Sequence, residues 1–284
     1  MTTVAFLGDV MLGRSVGDRI RDEGPQGIFS ADVVAAVSSA DAAIVNLECC
    51  ISDRGSPADK AFTFRAPPEA TTVLTELGVD AVTLANNHSL DFGTVALADT
   101  VRHLTDAGVG CVGAGVDVGA ARLPLTLDVA GRRIVLVAMT DHPDDFAAGP
   151  DRPGVALVDL GGEGLPRWVR DVLDQQPDDA TAIVTPHWGP NMIPEPLQRV
   201  RASADALLVA GADVVMGHSA HVFHGVGRRI AYDLGDAVDD YVRDRFLRND
   251  LGLIWFLVID DAGPVRIEAL PITLDFCHTR LATG

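Results

Sequence analysis

The 284-residue chain is 48% hydrophobic but only 5% aromatic, and its formal net charge is −18. That apolar content suffices to bury a sizeable, mainly aliphatic core. The acidity is spread along the chain and would repel a nucleic-acid backbone, which argues against nonspecific DNA or RNA binding. Cys49, Cys50, Cys111 and Cys277 form no CxxC pair. Neither a disulfide framework nor a thiolate zinc site is expected, and the four read as small buried residues. No window nears 18 uninterrupted apolar residues, so no membrane span is expected. The opening MTTVAFLGDV reads as a first strand rather than a signal peptide, which makes a cytoplasmic setting the expectation.

In chain order, residues 4–7 predict a buried strand that stops at Gly8 and Asp9. A helix is predicted over 32–39, a strand over 43–45 leading into Asn46-Leu47-Glu48, and a helix over 68–77 with Pro in its first turn. Residues 80–84 predict a third strand, followed by Asn86-Asn87-His88, and 94–107 an amphipathic helix stopped by Gly108. Residues 125–129 and 133–139 flank Gly131-Arg132 as a hairpin. The Pro- and Asp-rich stretch 141–153 reads as a long surface loop, a candidate substrate lid. A helix over 165–173, a strand over 182–185 running into Pro186-His187-Trp188-Gly189, a helix over 197–210 and a strand over 213–216 follow. A closing hairpin pairs 253–259 with 265–270. With no repeat or low-complexity linker, residues 1–284 read as one domain. Strands that follow helices suggest parallel pairing while the hairpins require antiparallel strands, so the expected class is α/β with mixed sheets. A two-sheet sandwich flanked by helices fits, as does one large mixed sheet.

The polar residues concentrate where the apolar strands end. Asp9, Glu48, Asn87-His88, His187 and His218 each sit at such an end, and five of the eight histidines (with His221 and His224) fall in these segments. In open α/β sheets, sites collect outside the carboxyl ends of strands. Carboxylate and amide oxygens with imidazoles, and no thiolates, suit divalent Mn, Fe or Zn. Such an ion lowers the pKa of bound water toward about 7 and neutralises an anionic substrate oxygen. A His–carboxylate pair beside a metal, here His88 and Asp91, is suited to general acid work. Arg14 and Arg65 follow strand-end motifs and are candidates to grip a phosphate or carboxylate. Asn46 either contacts substrate or caps the turn beside Glu48. Trp188 reads as a packing wall, and His103, His142 and His278 as ordinary surface or helix residues.

FLGDVMLGR, NLECCIS, FTFRAPPE, LANNHSLDFG, TPHWG and GHSAHVFHGV occur in an order that resembles the poly-γ-glutamate capsule-synthesis (CapA-type) family. That family is similar to the calcineurin-like metallophosphoesterases, and the resemblance runs from about residue 4 to 235. It implies a two-sheet sandwich flanked by helices, with Asp9, Glu48, Asn87, His187, His218 and His221 binding one or two metal ions. It also implies that His88 donates a proton to the leaving group, oriented by Asp91. The chain departs from the wider pattern at Asp9-Val10-Met11, where Asp-x-His is usual, and at Asn46-Leu47-Glu48, where a Gly-Asp-x-x-Asp-like motif is usual. Ser219 replaces a further His of the family's last motif. One tight ion and a weaker second beside Asp9 are therefore expected. His224 stands where the family often has Gln, and either compensates or lines the pocket. Asp236 replaces an Asn of the family and is assigned no role.

Three functions remain open from sequence. A phosphoester hydrolase comes first, an amide- or γ-glutamyl-bond enzyme second, and a non-catalytic accessory protein of polymer synthesis third. The expected substrate is an anionic small molecule or short polymer.

Overall fold

The structure, a computed structural model, describes residues 1–160 and 164–283. Thr2–Val10, Ala42–Leu47, Ala81–Thr83 and Gly110–Val112 pair in that order as parallel strands. Helices Ala31–Val37, Ala70–Leu77 and Gly93–Asp106 make the crossovers between them. On the other side of Thr2–Val10 lies Leu251–Asp260, antiparallel, then Gly263–Asp275 and His278–Leu281. Asp236–Val238 joins the far end of Thr2–Val10 in parallel, completing an eight-stranded mixed sheet. A second sheet of five strands runs Ile230–Ala231, Val214–Met216, Ala180–His187, Arg132–Thr140, Leu125–Val129. Its pairs are parallel except for the Leu125–Val129/Arg132–Thr140 hairpin.

Strand alternation sorts the apolar residues into layers, because successive side chains point to opposite faces. Val4, Phe6 and Ile44 face Ile134, Leu136, Ile183 and Met216 across the gap between the sheets. Ala5, Leu7 and Val45 face outward, against Val16, Ile20, Val33, Val73 and Leu77 of the helices. Val135, Val137 and Val184 likewise meet Val169, Val200 and Leu207 on the outside of the second sheet. The order is helix, sheet, sheet, helix, as the resemblance implied.

Several boundaries differ from the sequence expectations. Helix Arg14–Glu23 was not predicted; its buried side is only Val16, Gly17 and Ile20, too narrow a stripe to stand out. The closing hairpin is longer than expected and gains the third strand His278–Leu281. The expected lid over 141–153 is anchored at its centre, where Phe146 is buried with Leu90, Leu97 and Val155.

The most consequential difference lies at Gly8. The first strand does not stop there but continues to Val10. Leu7 pairs with Val45 and Asp9 with Asn46, so Gly8 is an extra residue against its partner strand. Such a bulge re-aims the next side chain, here Asp9. A Cβ on Gly8 would lie 1.6 Å from the Gly235 carbonyl oxygen, so only glycine lets the Asp236–Val238 strand approach. Gly8→Ala should therefore cost about 3 kcal/mol or more, the upper end of overpacking costs. Denaturant unfolding checks this, and a loss below about 1 kcal/mol would show that the backbone contact yields easily.

Candidate metal centre

The carboxyl edges of both sheets meet at one place. Asp9 and the residues after Ala42–Leu47 and Ala81–Thr83 approach from the first sheet, bringing Glu48, Asn87 and His88. His187 ends its strand and His218 follows Val214–Met216 in the second sheet, and the two residues form a parallel bridge. His221 lies beyond on a turn in which Ser219 (φ 113°) and His221 (φ 60°) occupy the left-handed region. The turn is held by Ala220 N–H donating to Asp233 Oδ2 at 2.7 Å and Ser219 Oγ donating to Gly189 O at 2.9 Å. Backbone in this region persists only when its surroundings enforce it.

Asp9, Glu48, His187, His218, His221 and Asp236 are all buried. Asp9 Oδ1 meets His218 Nδ1 at 3.0 Å, and Asp9 Oδ2 lies 3.4 Å from His221 Nδ1. Glu48 Oε1 is 3.5 Å from His187 Nε2, and Glu48 Oε2 is 3.7 Å from His221 Nδ1. One donor atom from each of Asp9, Glu48, His221 and Asp236 falls within a 4.8 Å cluster. Asp9 Oδ2, both Glu48 oxygens, Asn87 Oδ1, both His187 nitrogens and Asp236 Oδ2 have no hydrogen-bond partner among the described residues. Buried polar atoms are normally paired, and orphans gathered in one place call for an ion. An oxygen- and imidazole-rich set without thiolate fits a divalent cation such as Mn, Fe or Zn.

The electrostatics agree. Burial pushes the Glu48 carboxyl well up, with Asp9 and Asp236 adding repulsion that His221 partly relieves. Asp236 is raised well above the carboxylate range by burial and by the charges of Asp239 and Asp9. Burial works to raise Asp9 too, but the His218 hydrogen bond and the His221 and His187 rings hold it below the usual range. Burial pushes His187 well down, which keeps its ring neutral and free to ligate. His221 goes the other way: burial opposes its charge, yet Glu48 and Asp9 raise it. These acids cannot all ionise side by side without a countercharge.

Asp236 was assigned no role from sequence. Its strand pairs it directly with Asp9, and its Oδ1 lies 2.9 Å from His221 Nδ1. The available signal was an acid in the segment 233–240, masked by a resemblance in which Asn stands there. It adds a carboxylate at the end of the site that Met11 was expected to weaken. Met11 itself is buried in the core, its sulfur accepting a hydrogen bond from Gly13 N–H.

His88 stands at the mouth. Its Nδ1 lies 2.5 Å from Asp91 Oδ2, and its Nε2 is 3.9 Å from Glu48 Oε1. Asp91 is fixed in turn by Phe64 N–H at 2.6 Å and by Lys60 Nζ at 2.8 Å, which also donates to the Asn87 carbonyl. The Phe64 ring stacks on the imidazole at 3.8 Å. Burial lowers the His88 pKa to about 4, opposed by the Asp91 hydrogen bond. Phe64 lies within the FTFRAPPE motif and Lys60 just before it, but neither was given a role, because sequence does not show that they reach His88 and Asp91, 24 or more residues further on.

The candidate substrate residues separate. Arg14 lines a cleft of about 670 Å³ above His88 and His221, paired with Asp240. Asn46 lies beneath the site instead. Fully buried, it donates to Asp9 Oδ1 at 2.8 Å and accepts from Thr83 and Asn86, so it positions Asp9 and has no amide atom for substrate. Arg65 turns away onto the Phe92 ring, 4.2 Å from its centroid. His224 bonds the Ile193 carbonyl at 2.9 Å, outside the cluster. Trp188 is a buried wall, its indole N–H donating to Tyr232 O. His142, read as an ordinary surface residue, pairs with Asp141 and has its ring 5.2 Å from that of His187.

Purified protein should bind at least one divalent ion, and chelation should lower its melting temperature because binding favours the native state. Asp236→Ala should weaken Mn affinity at least about tenfold by calorimetry, a typical cost of losing a carboxylate that ligates or supports a ligand. Wild-type affinity in that variant would remove Asp236 from the ligand set.

Comparison with known proteins agrees with this architecture. The chain is similar to a crystal structure of a hypothetical protein from Thermus thermophilus (TM-score 0.53, 17% identity, 95% of this chain and 98% of that one). It is also similar to the NAD nucleotidase NadN of Haemophilus influenzae (TM-score 0.50, 10% identity), covering all of this chain and 54% of that one. These likenesses show a shared fold, two mixed sheets flanked by helices. In sequence, it is 36% identical over 256 residues to the "Probable polyglutamine synthesis accessory protein" of Mycobacterium tuberculosis strain H37Rv, covering 83% of this chain and 66% of that relative. It is 28% identical over 283 residues to the "PGA biosynthesis protein CapA" of Bacillus subtilis, covering 96% and 71%. The chain thus spans about two thirds of the length of these relatives. With residues 3–241 matching the family described as bacterial capsule synthesis protein PGA_cap, the chain belongs to that family.

Proposed function

We propose that this protein is a metal-dependent phosphoester hydrolase with His88 as general acid. The observation that carries the reading is the placement of His88: Nδ1 is held by Asp91 while Nε2 faces the ligand cluster, 3.9 Å from Glu48. Asp9, Glu48, Asn87, His187, His218, His221 and Asp236 would hold one or two ions. When bound, such an ion acts as a Lewis acid toward water and the ester oxygens.

The chain's own residues then divide the remaining work. Asp91 holds the imidazole in one orientation, and Lys60 and Phe64 hold Asp91. A ring with a pKa near 4 is neutral at pH 7, and the negative charge of an arriving phosphate favours its protonated form. As the water oxygen bonds to phosphorus, the ester P–O bond breaks and the leaving oxygen takes the Nε2 proton of the protonated ring. The water gives up one proton to solvent, and the ring regains one from solvent before the next turnover. Arg14 lines the approach but shares its charge with Asp240. The substrate is an anionic small molecule. Among the described residues no helix is long and apolar enough to cross a membrane.

A second reading is a metal-dependent enzyme acting on γ-glutamyl bonds, or a non-catalytic accessory protein of polyglutamate-type polymer synthesis. The names of the similar proteins, which refer to polyglutamine synthesis and PGA biosynthesis, favour it. Release of phosphate from aryl phosphates with added Mn, measured against release of amine from γ-glutamyl peptides, separates the two.

His88→Asn should lower phosphoesterase kcat by roughly 100-fold or more, the usual scale of acid–base catalysis, while metal content stays near that of the wild type. His187→Ala should lose metal. If His88→Asn strips the ion as completely as His187→Ala, the two roles are wrongly divided.

A further inference from the structure

We infer that the group expelled at this site is flat and apolar, an aryl or arylmethyl alcohol, rather than part of a polyanionic chain. The inference rests on the phosphoester reading above and concerns its substrate.

A leaving oxygen must come to His88 Nε2, so the group attached to it occupies the space over His88. That space is the cleft of about 670 Å³, walled by Phe62, Phe64, Met192, Tyr241 and Val242. Its two cations are already neutralised. Arg14 is gripped by both oxygens of Asp240, and Lys60 by Asp91 and the Asn87 carbonyl. Neither offers uncompensated charge to a run of carboxylates, and a protein of net charge −18 repels a polyanion.

Phe64 is taken up by the His88 ring at 3.8 Å and the Arg14 guanidinium at 4.7 Å. Phe62 is different. It is 63% exposed, with the Arg14 guanidinium 5.8 Å from its ring, and so presents an open aromatic surface at the mouth of the cleft. Val242, 91% exposed, stands at the same rim. Apolar surface placed beside a catalytic group is covered when a ring stacks on it. Across the ligand cluster, Asp141, His142, Pro190 and Arg199 line a shallower hollow of about 420 Å³ that shares Asn87 and Asn191 with the cleft. The aromatic wall is confined to the leaving-group side, and Phe62 is the residue that would set specificity.

The test uses Mn-loaded protein and two pairs of probes. Benzylphosphonate and methylphosphonate report binding, and benzyl phosphate and methyl phosphate report turnover. The two alcohols are similarly basic, so the ratio reads the ring. Benzylphosphonate should bind at least about tenfold tighter than methylphosphonate, as expected for half-burying a phenyl ring. Phe62→Ala should bring that ratio down at least fivefold, and Phe62→Tyr should keep it, which separates a stacking role from damage to the fold. A wild-type ratio near one, an unchanged ratio in Phe62→Ala, or tighter binding of a γ-glutamyl oligomer than of benzylphosphonate overturns the inference. Methylphosphonate binding and methyl phosphate turnover without ring preference overturn it alone. Failure of all four probes overturns the phosphoester reading and this inference with it.

Discussion

Asp9, Glu48 and Asp236 are buried side by side where the two sheets end, with orphaned oxygens on each. Two like charges 4 Å apart repel by about 4 kcal/mol at an effective dielectric near 20. A few such pairs rival the entire 5–15 kcal/mol stability of an ordinary domain. The fold tolerates this concentration because imidazoles and a divalent ion can share the charge. Much of the surrounding structure exists to keep the carboxylates from moving apart. Asn46 ties Asp9 to Thr83 and Asn86, and Asp233 locks the turn that carries His221.

Two sheets are needed to build such a centre. Asp9, Glu48 and Asn87 belong to one carboxyl edge, and His187 and His218 to the other. The layer of Val4, Phe6 and Ile44 against Ile134, Leu136 and Ile183 brings the edges together. A change that loosens that interface would separate acids from imidazoles without touching either. His88 depends on a different support, a chain of contacts through Asp91, Lys60 and Phe64 that links two loop segments. The His88 ring is thus held by contacts other than those that hold Asp9 and the turn of His221.

The opposite sides of the site differ in character. Phe62, Phe64 and Tyr241 gather around the cleft over His88, and Asp141, His142 and Arg199 line the hollow beyond it. In a chain with only 5% aromatic residues, placing Phe62, Phe64 and Tyr241 around one cleft is a pronounced local enrichment.

Strand-end chemistry was legible in the sequence because a buried strand must be apolar along its length. A run such as residues 4–7 followed by Gly8-Asp9 therefore marks where the chain leaves the core. By this logic the strand-end ligand candidates follow from local pattern, while the roles of His88 and Asp91 and the two-sheet class follow from the family resemblance that the order of the motifs carries. What pattern could not supply was distance between segments far apart in the chain. Asp236 joins Asp9 only because its strand pairs there, across the space that Gly8 leaves free. Asn46 read as either a substrate contact or a turn cap, yet its neighbours across the sheet consume both its polar atoms, and sheet register is a tertiary fact. Arg65 and Arg14 read alike from sequence, but packing turned one onto Phe92 and left the other over the cleft. Residue chemistry and periodicity determine which groups leave the core and what they can do. Only the folded chain decides which of them meet, because a buried charge takes its partners from space and not from sequence.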